Sequence, residues 1–285
     1  MIINSKTIVI GLIGHPLGHS LSPLMHNSTL DKLGLNYIYL PFDVAPNDLG
    51  EAVAGLKALN IRGVNVTIPY KKAVIQYLDE LSPEARACGA VNLIKNHNGR
   101  LTGYNTDGRG FMASLREEGV SSFKQVLIIG AGGAAQSLVY ELTQSGAEQI
   151  NILDIDHDKA LELASFVNQL QKGKGTGAKM DDELFISLSQ KADLVVNCTP
   201  VGMSPHNEGI PVTSLSKVHP EAVVYDLIYN PLTTRFLAMA QERNLKTING
   251  LSMLVHQGAL TLGILTGVKP PVAFMKEVVL DSYSK

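Results

Sequence analysis

The stretch NVTIPYKK, residues 65–72, sets two hydrogen-bonding side chains, Asn65 and Thr67, two positions apart and follows them with Lys71 and Lys72. Side chains two apart on a strand share a face, so Asn65 and Thr67 point the same way at a strand's carboxyl end. Ser20 and Ser22 in GHSLSP, Asn92 in AVN, and Asn105 to Asp107 in NTDG also fall at strand ends or glycine turns, where α/β sheets place ligands. Each has a plain structural use: Ser22 before Pro23 and Asp107 before Gly108 can cap helices, and Asn92 can satisfy a turn. Their recurrence along one side of a sheet points to a polar binding site. A lysine at such a site can deliver a proton or stabilise a developing oxyanion. Lys72, one residue on, faces elsewhere and reads as a solvated charge.

A second chemistry-bearing stretch is VLIIGAGGAAQSLVYEL, a buried strand, a glycine turn and a helix in that order. Gly130, Gly132 and Ala135 occupy the G-x-G-x-x-A positions of a dinucleotide turn, with Ala131, Gly133 and Ala134 between them. The first glycine permits the tight turn, the second lets a pyrophosphate approach, and the small third residue lets helix and strand pack closely. The helix start offers free N–H groups and partial positive charge to phosphate. Asp154 ends the next strand, 24 positions after Gly130, and Ile155, Asp156, His157 and Asp158 follow it with no arginine. A carboxylate there accepts ribose hydroxyls and repels a 2′-phosphate, so NAD is expected, with NADP the alternative. Asp156 is expected to cap the following helix.

These residues need elements to hold them. Residues 7–14, 36–44 and 61–68 read as strands, 22–33 and 46–59 as helices, and 90–105 as a hairpin around Asn98-Gly99 at the sheet's margin. A second strand and helix series begins at 124 and continues through strands 192–199 and 222–229, with two helices at the chain end. The Gly/Lys-rich segment 171–179 reads as a mobile surface loop. The expectation is therefore two α/β domains with mainly parallel sheets: a substrate domain over 1–106 completed by helices within 250–285, and a Rossmann-like dinucleotide domain over 107–249.

Composition narrows the function class. The 285 residues are 45% hydrophobic and 18% charged with a net charge of −2, the profile of a core-forming globular chain without the basic excess of a nucleic-acid binder. Cys88 and Cys198 make neither a disulfide framework nor a zinc site, and His15, His19, His26 and His256 lack metal-ligand spacing, so no metal is expected. The absence of a long apolar run argues against a membrane span and for a cytoplasmic protein.

Taken in order, GHPLGHSLSPLMHN, GVNVTIPYK, GAVN, GYNTDGRGF, GAGGAA, NCTPVGM and GLSMLVHQG resemble the shikimate dehydrogenase family, including its quinate/shikimate branch, from about residue 11 to about residue 260. The resemblance implies that Ser20, Ser22 and Tyr229 bind the substrate carboxylate, and that Asn65, Thr67, Asn92 and Gln257 hold ring hydroxyls. It implies that Lys71 is catalytic with Asp107 as its partner. It also implies that Thr199, Gly202, Met203 and Gly250 join the glycine turn in binding cofactor. The activity implied is reversible hydride transfer between shikimate, possibly also quinate, and the 3-dehydro acid, using NAD, in a monomer or homodimer. The alternatives are an NADP-dependent biosynthetic enzyme and a nucleotide-sensing module without turnover. Where NADP-using members carry Asn-Arg-Thr after the second Rossmann strand, this chain has Asp154-Ile155-Asp156. Tyr70 stands where His is common and Leu93 where Thr is usual, and both are expected near the substrate pocket, leaving room for a wider substrate range.

Overall fold

The computed structural model describes residues 3–18 and 20–283; His19 lies outside the described residues. The chain divides into two compact units, Met1–Gly110 with Val255–Lys285, and Phe111–Leu254.

The first unit runs β1 (Ile8–Gly14), α1 (Ser22–Lys32), β2 (Tyr37–Asp43), α2 (Leu49–Ala58), β3 (Gly63–Val66), β4 (Glu80–Leu81), α3 (Pro83–Cys88), β5 (Leu93–His97), β6 (Arg100–Tyr104) and the start of α4 (Asp107–Glu117). Its sheet has the order β2-β1-β3-β5-β6-β4. β1 pairs in parallel with β2 and β3, whereas β5 is antiparallel to β3 and β6. The apolar run of β1 is buried on both faces: Ile13 joins one core cluster, and Ile10 and Leu12 the other. Such a run is the mark of a strand covered on both sides.

Two expectations change here. The hairpin turns at Asn98 and Gly99, both with positive φ, as a two-residue turn requires. It lies inside the sheet, because the two-residue β4 pairs beyond β6; so short a strand carries no readable period. The strand expected over 61–68 is shorter, β3 stopping at Val66, and a 3₁₀ turn, Ala73–Tyr77, follows Lys72.

The second unit continues with β7 (Gln125–Ile129), α5 (Gly133–Gln144), β8 (Gln149–Asp154), α6 (His157–Leu170), β9 (Gly175–Lys179), α7 (Asp182–Ser189), β10 (Leu194–Asn197), β11 (Val223–Asp226), α8 (Arg235–Glu242) and β12 (Lys246–Ile248). Helices α9 (Leu251–Thr266) and α10 (Val272–Asp281) close the chain. The sheet order β12-β11-β10-β7-β8-β9 is parallel throughout, and the order reverses beside β7, the position at which doubly wound sheets bind ligands. Alternate residues of β7 enter different core clusters, Val126 and Ile128 in one, Leu127 and Ile129 in the other.

The segment expected to be a loop contains β9, which pairs with β8 over five residues. Its glycines are there for packing. A Cβ at Gly175 would lie 2.5 Å from the Ala164 carbonyl oxygen, and one at Gly177 would collide with the Ala160 carbonyl, both on α6. Glycine, normally a strand breaker, is what lets this edge strand sit tightly under its helix. Gly177→Ala is expected to destabilise the protein by about 1–3 kcal/mol, read as a lower urea midpoint at unchanged m-value. Gly173→Ala, where a Cβ meets no protein atom but φ is +81°, tests backbone strain alone.

Candidate active site

In the first unit the polar residues form one hydrogen-bonded chain. The turn after β3 brings Lys71 to the hairpin, where its carbonyl accepts from Val91 N–H at 2.7 Å. Lys71 Nζ donates to Asp107 Oδ2 at 2.6 Å, and Asn92 Nδ2 donates to Asp107 Oδ1 at 2.8 Å. Asp107 stands at the first position of α4, where a carboxylate is favoured by the helix dipole. Its own N–H is taken by Asn105 Oδ1, so Asn105, not Asp107, caps this helix end. The Asp107 side chain is 7% exposed and that of Lys71 23%, leaving the ammonium as the accessible member of the pair.

Asn92 is locked from the other side. Its Oδ1 accepts from Thr106 N–H at 2.9 Å, and its Nδ2 also reaches Thr106 Oγ1 at 2.8 Å. Thr106 Oγ1 lies 3.4 Å from Thr261 Oγ1, and Asn65 Nδ2 donates to Thr261 Oγ1 at 3.2 Å and to the Asn92 carbonyl at 3.3 Å. Asn65 Oδ1 in turn accepts from Tyr39 Oη at 2.9 Å. Both hydrogens of the Asn65 amide are therefore engaged, and the hydrogen-bonding capacity it retains is a second lone pair on Oδ1. Tyr39 is held at its backbone by Asn27, through bonds of 2.9 Å in each direction. Its ring stacks on His26 at 4.4 Å. Burial pushes His26 down to about 3, so this histidine is a neutral packing element.

Several expected residues take defined places around the chain. Ser22 is the first helical residue of α1 and not its cap; its N–H donates to Ser20 Oγ at 3.3 Å. Thr67 lies just past β3 and packs on Gly14, where any Cβ would collide with the Thr67 methyl. Gln257 is on α9 beside Gly110, where a Cβ would come 2.7 Å from that of Gln257. Tyr70 adjoins Lys71, and Leu93 adjoins Asn92 and pairs with Asn65 in the sheet. Tyr70 is buried and donates its hydroxyl to the Val44 carbonyl, and Leu93 is fully buried in the sheet core. Both side chains belong to core clusters. Tyr39 and Thr261 are the members that motif reading missed. Thr261 alone carried a signal, standing four residues after Gln257 and so on the same helix face.

In the second unit, Gly130 adopts φ +94°, and a Cβ there would lie 2.7 Å from the Thr199 methyl. Gly132 and Gly133 differ: a Cβ on either would meet no protein atom within 4 Å. Protein packing therefore does not explain them, whereas close approach of a ligand to the uncapped start of α5 does. Ala131 and Ala134 flank the same half-open turn, and Ala135 is buried against the sheet. The turn fits a dinucleotide pyrophosphate. Asp154 Oδ2 accepts from Ala131 N–H at 2.6 Å and its Oδ1 from Asp156 N–H at 2.8 Å. Asp156 caps α6 and pairs with Lys159 at 3.2 Å, and the Lys159 partnership lowers its pKa. Lys179 is the ladder neighbour of Asp154 on β9. The two carboxylates thus form a less negative patch than their spacing alone implies.

The carboxyl ends of β10 and β11 meet at Asp226, which is fully buried. Asn197 Nδ2 and Ile228 N–H donate to its Oδ1 at 3.0 and 3.1 Å, and Thr234 Oγ1 donates to its Oδ2 at 2.6 Å. Thr199 donates to Asn197 Oδ1 through both its N–H, at 3.0 Å, and its hydroxyl, at 2.7 Å. Gly202 has φ +97°, and Met203 is exposed on the same loop. Tyr229 follows β11 and is half-buried, its pKa raised by burial. Gly250 is buried with its N–H bonded to the Ile228 carbonyl, and a Cβ would collide with the Leu227 carbonyl. Close packing against β11's end requires a glycine at this position.

Burial raises Asp226 from 3.8 to about 6, partly offset by its three donors. Between these values the folded chain keeps a proton that the unfolded chain releases. The associated stability is complete below about pH 4 and is lost as pH rises through 6. Asp226→Asn removes this dependence. Urea unfolding of both proteins from pH 4 to 7 should show the variant gaining on the parent by about 1–3 kcal/mol with rising pH.

Comparison with known proteins accords with these geometries. Residues 12–94 match the shikimate dehydrogenase substrate binding domain, and residues 250–280 the shikimate 5'-dehydrogenase C-terminal domain. A protein of Syntrophomonas wolfei named shikimate dehydrogenase (NADP(+)) is 51% identical over 285 residues, covering 100% of this chain and 98% of its own. A shikimate dehydrogenase crystallised with NADP+ superposes with a TM-score of 0.93 at 42% identity, covering 100% of this chain and 98% of its own. The shikimate 5-dehydrogenase of Listeria monocytogenes, crystallised with shikimate and NAD, gives 0.92 at 38% identity, covering 97% and 98%. With its whole length matched at such identity, the chain belongs to the shikimate dehydrogenase family.

Proposed function

We propose that this protein catalyses the reversible oxidation of shikimate to its 3-dehydro acid by hydride transfer with NADP. The observation that carries the reading is the Lys71 ammonium held 2.6 Å from Asp107 while remaining the more accessible of the two. The bound dinucleotide supplies the hydride acceptor or donor. Gly132, Gly133 and the first-turn N–H groups of Ala134 and Ala135 would hold its pyrophosphate, with Thr199 and Gly202 further along the same unit.

The chain's own residues handle the proton. In the reduction direction Lys71 Nζ gives a proton to the oxygen as it gains negative charge, and in the oxidation direction it takes the hydroxyl proton back. Asp107 fixes the place of the amine, and Asn92 fixes Asp107. Asn65, with only an acceptor position left, reads a substrate hydroxyl as donor. Ser20 and Ser22 bind the carboxylate with hydroxyl donors at the start of α1, and Thr67 and Gln257 complete the substrate set of the first unit.

NADP is favoured by the relative named for it and by the structure crystallised with it. A second reading, NAD, rests on one local observation: Asp154 keeps lone pairs for ribose hydroxyls, and no arginine stands at 155–158. Steady-state assays of shikimate and quinate, each with NADP and NAD, separate these readings. The expected order places shikimate with NADP first in kcat/KM. Preference for NAD establishes the second reading, and silence in all four overturns both. Lys71→Ala is expected to lower kcat by about a hundredfold or more with a smaller change in KM for shikimate. Near-normal turnover would remove Lys71 from the mechanism.

A further inference from the structure

Asp226 is a fully buried carboxylate that the proposed chemistry does not use. Among the described residues no lysine or arginine pairs with it. Three donors hold it instead, and they come from three separate pieces of chain: Asn197 at the end of β10, Ile228 just after β11, and Thr234 at the cap of α8. Burying an unpaired carboxylate is costly, and an apolar residue would fill the same space without that cost. The contacts of Asn197 give the carboxylate a use. Its amide faces Asp226 through Nδ2 and Thr199 through Oδ1, which takes both the Thr199 N–H and its hydroxyl. A carboxylate at 226 can only accept, so it fixes which end of the Asn197 amide points toward Thr199. With the amide turned over, Nδ2 would face two donors and the loop would lose both bonds. Thr199 in turn packs against the first glycine of the dinucleotide turn: a Cβ on Gly130 would lie 2.7 Å from its methyl and 3.2 Å from its nitrogen.

We infer that Asp226 is a positioning residue for dinucleotide binding, setting the Asn197 amide so that Thr199 and the loop to Met203 stand against the Gly130 turn. It acts through Asn197 and touches no ligand itself. The inference rests on the dinucleotide reading above and deepens it.

The test is direct binding of NADPH and of NADH to the full-length protein, followed by nucleotide fluorescence without substrate. Asp226→Ala is expected to weaken the preferred nucleotide about tenfold or more. Asp226→Asn, whose amide oxygen can occupy the Oδ1 position and accept from both Asn197 and Ile228, should restore binding to within about threefold of the parent. Thermal unfolding of each variant separates a role in stability from one in binding. If Asp226→Ala does not fold, Asn197→Ala cuts the same link to Thr199 and should show the same loss. A lowered Tm with parental affinity in the Ala variant overturns the proposal. So does an Asn variant as weak as the Ala variant, since the acceptor is then present without effect. A parent protein that binds neither nucleotide overturns the dinucleotide reading and this inference together, a result distinct from tight parental binding that the substitutions leave intact.

Discussion

Asp107 carries a nearly buried negative charge, and the polar architecture of the first unit is arranged to keep that charge in one place. A carboxylate removed from water needs a cation or several donors, and breaking such a pair leaves an uncompensated charge. Here one oxygen takes the Lys71 ammonium and the other the Asn92 amide. The Asn92 amide is itself pinned by the Thr106 backbone and hydroxyl. From there the network runs through Thr261 and Asn65 to Tyr39 with each polar atom answered by the next. A network of this kind rigidifies only when every member is satisfied. That requirement explains why residues with no conceivable part in chemistry, such as Tyr39 and Thr261, are polar and buried.

Close approach of backbones is the second constraint, and glycine meets it at each critical contact. Gly14 lets the end of β1 come against Thr67, Gly110 lets α4 come against Gln257, and Gly130 lets the dinucleotide turn come against Thr199. In each case the neighbour is a residue assigned to substrate or cofactor. A side chain at any of these positions would displace a functional group by forcing apart the elements that carry it. Gly132 and Gly133 form the contrast, since the space over them is open to something other than protein.

The strongly periodic parts of the fold were legible in the sequence, because buried strands and amphipathic helices leave patterns in residue type. β1, β2, the hairpin turn at Asn98-Gly99, and the strand, turn and helix from Gln125 to Gln144 all stand near their expected limits. β9 was not legible, since its glycines answer to α6 and not to strand propensity. The two residues of β4 and three of β12 are too few to show a period. At the site, residues in dense motifs could be named from sequence, whereas Tyr39 and Asp226 could not. Each looks like a strand residue of ordinary type, and its role depends on partners 26 and 29 positions away.

Asp154 illustrates how a residue's meaning changes when its neighbours are known. Read alone, a carboxylate at the end of the second Rossmann strand marks a site for ribose hydroxyls and against a 2′-phosphate. In the folded chain it also closes the glycine turn, accepting from Ala131 and Asp156 N–H groups. A carboxylate is thus useful at this place whichever dinucleotide binds. Repulsion of a phosphate depends on net field, and the adjoining Asp156 is answered by Lys159 while Lys179 stands beside Asp154 in the sheet. The Lys159 ammonium beside Asp156 thus lowers the net charge that exposed groups present near this turn. A carboxylate so engaged acts at short range, through the acceptor capacity that its two backbone bonds leave free for a hydroxyl donor.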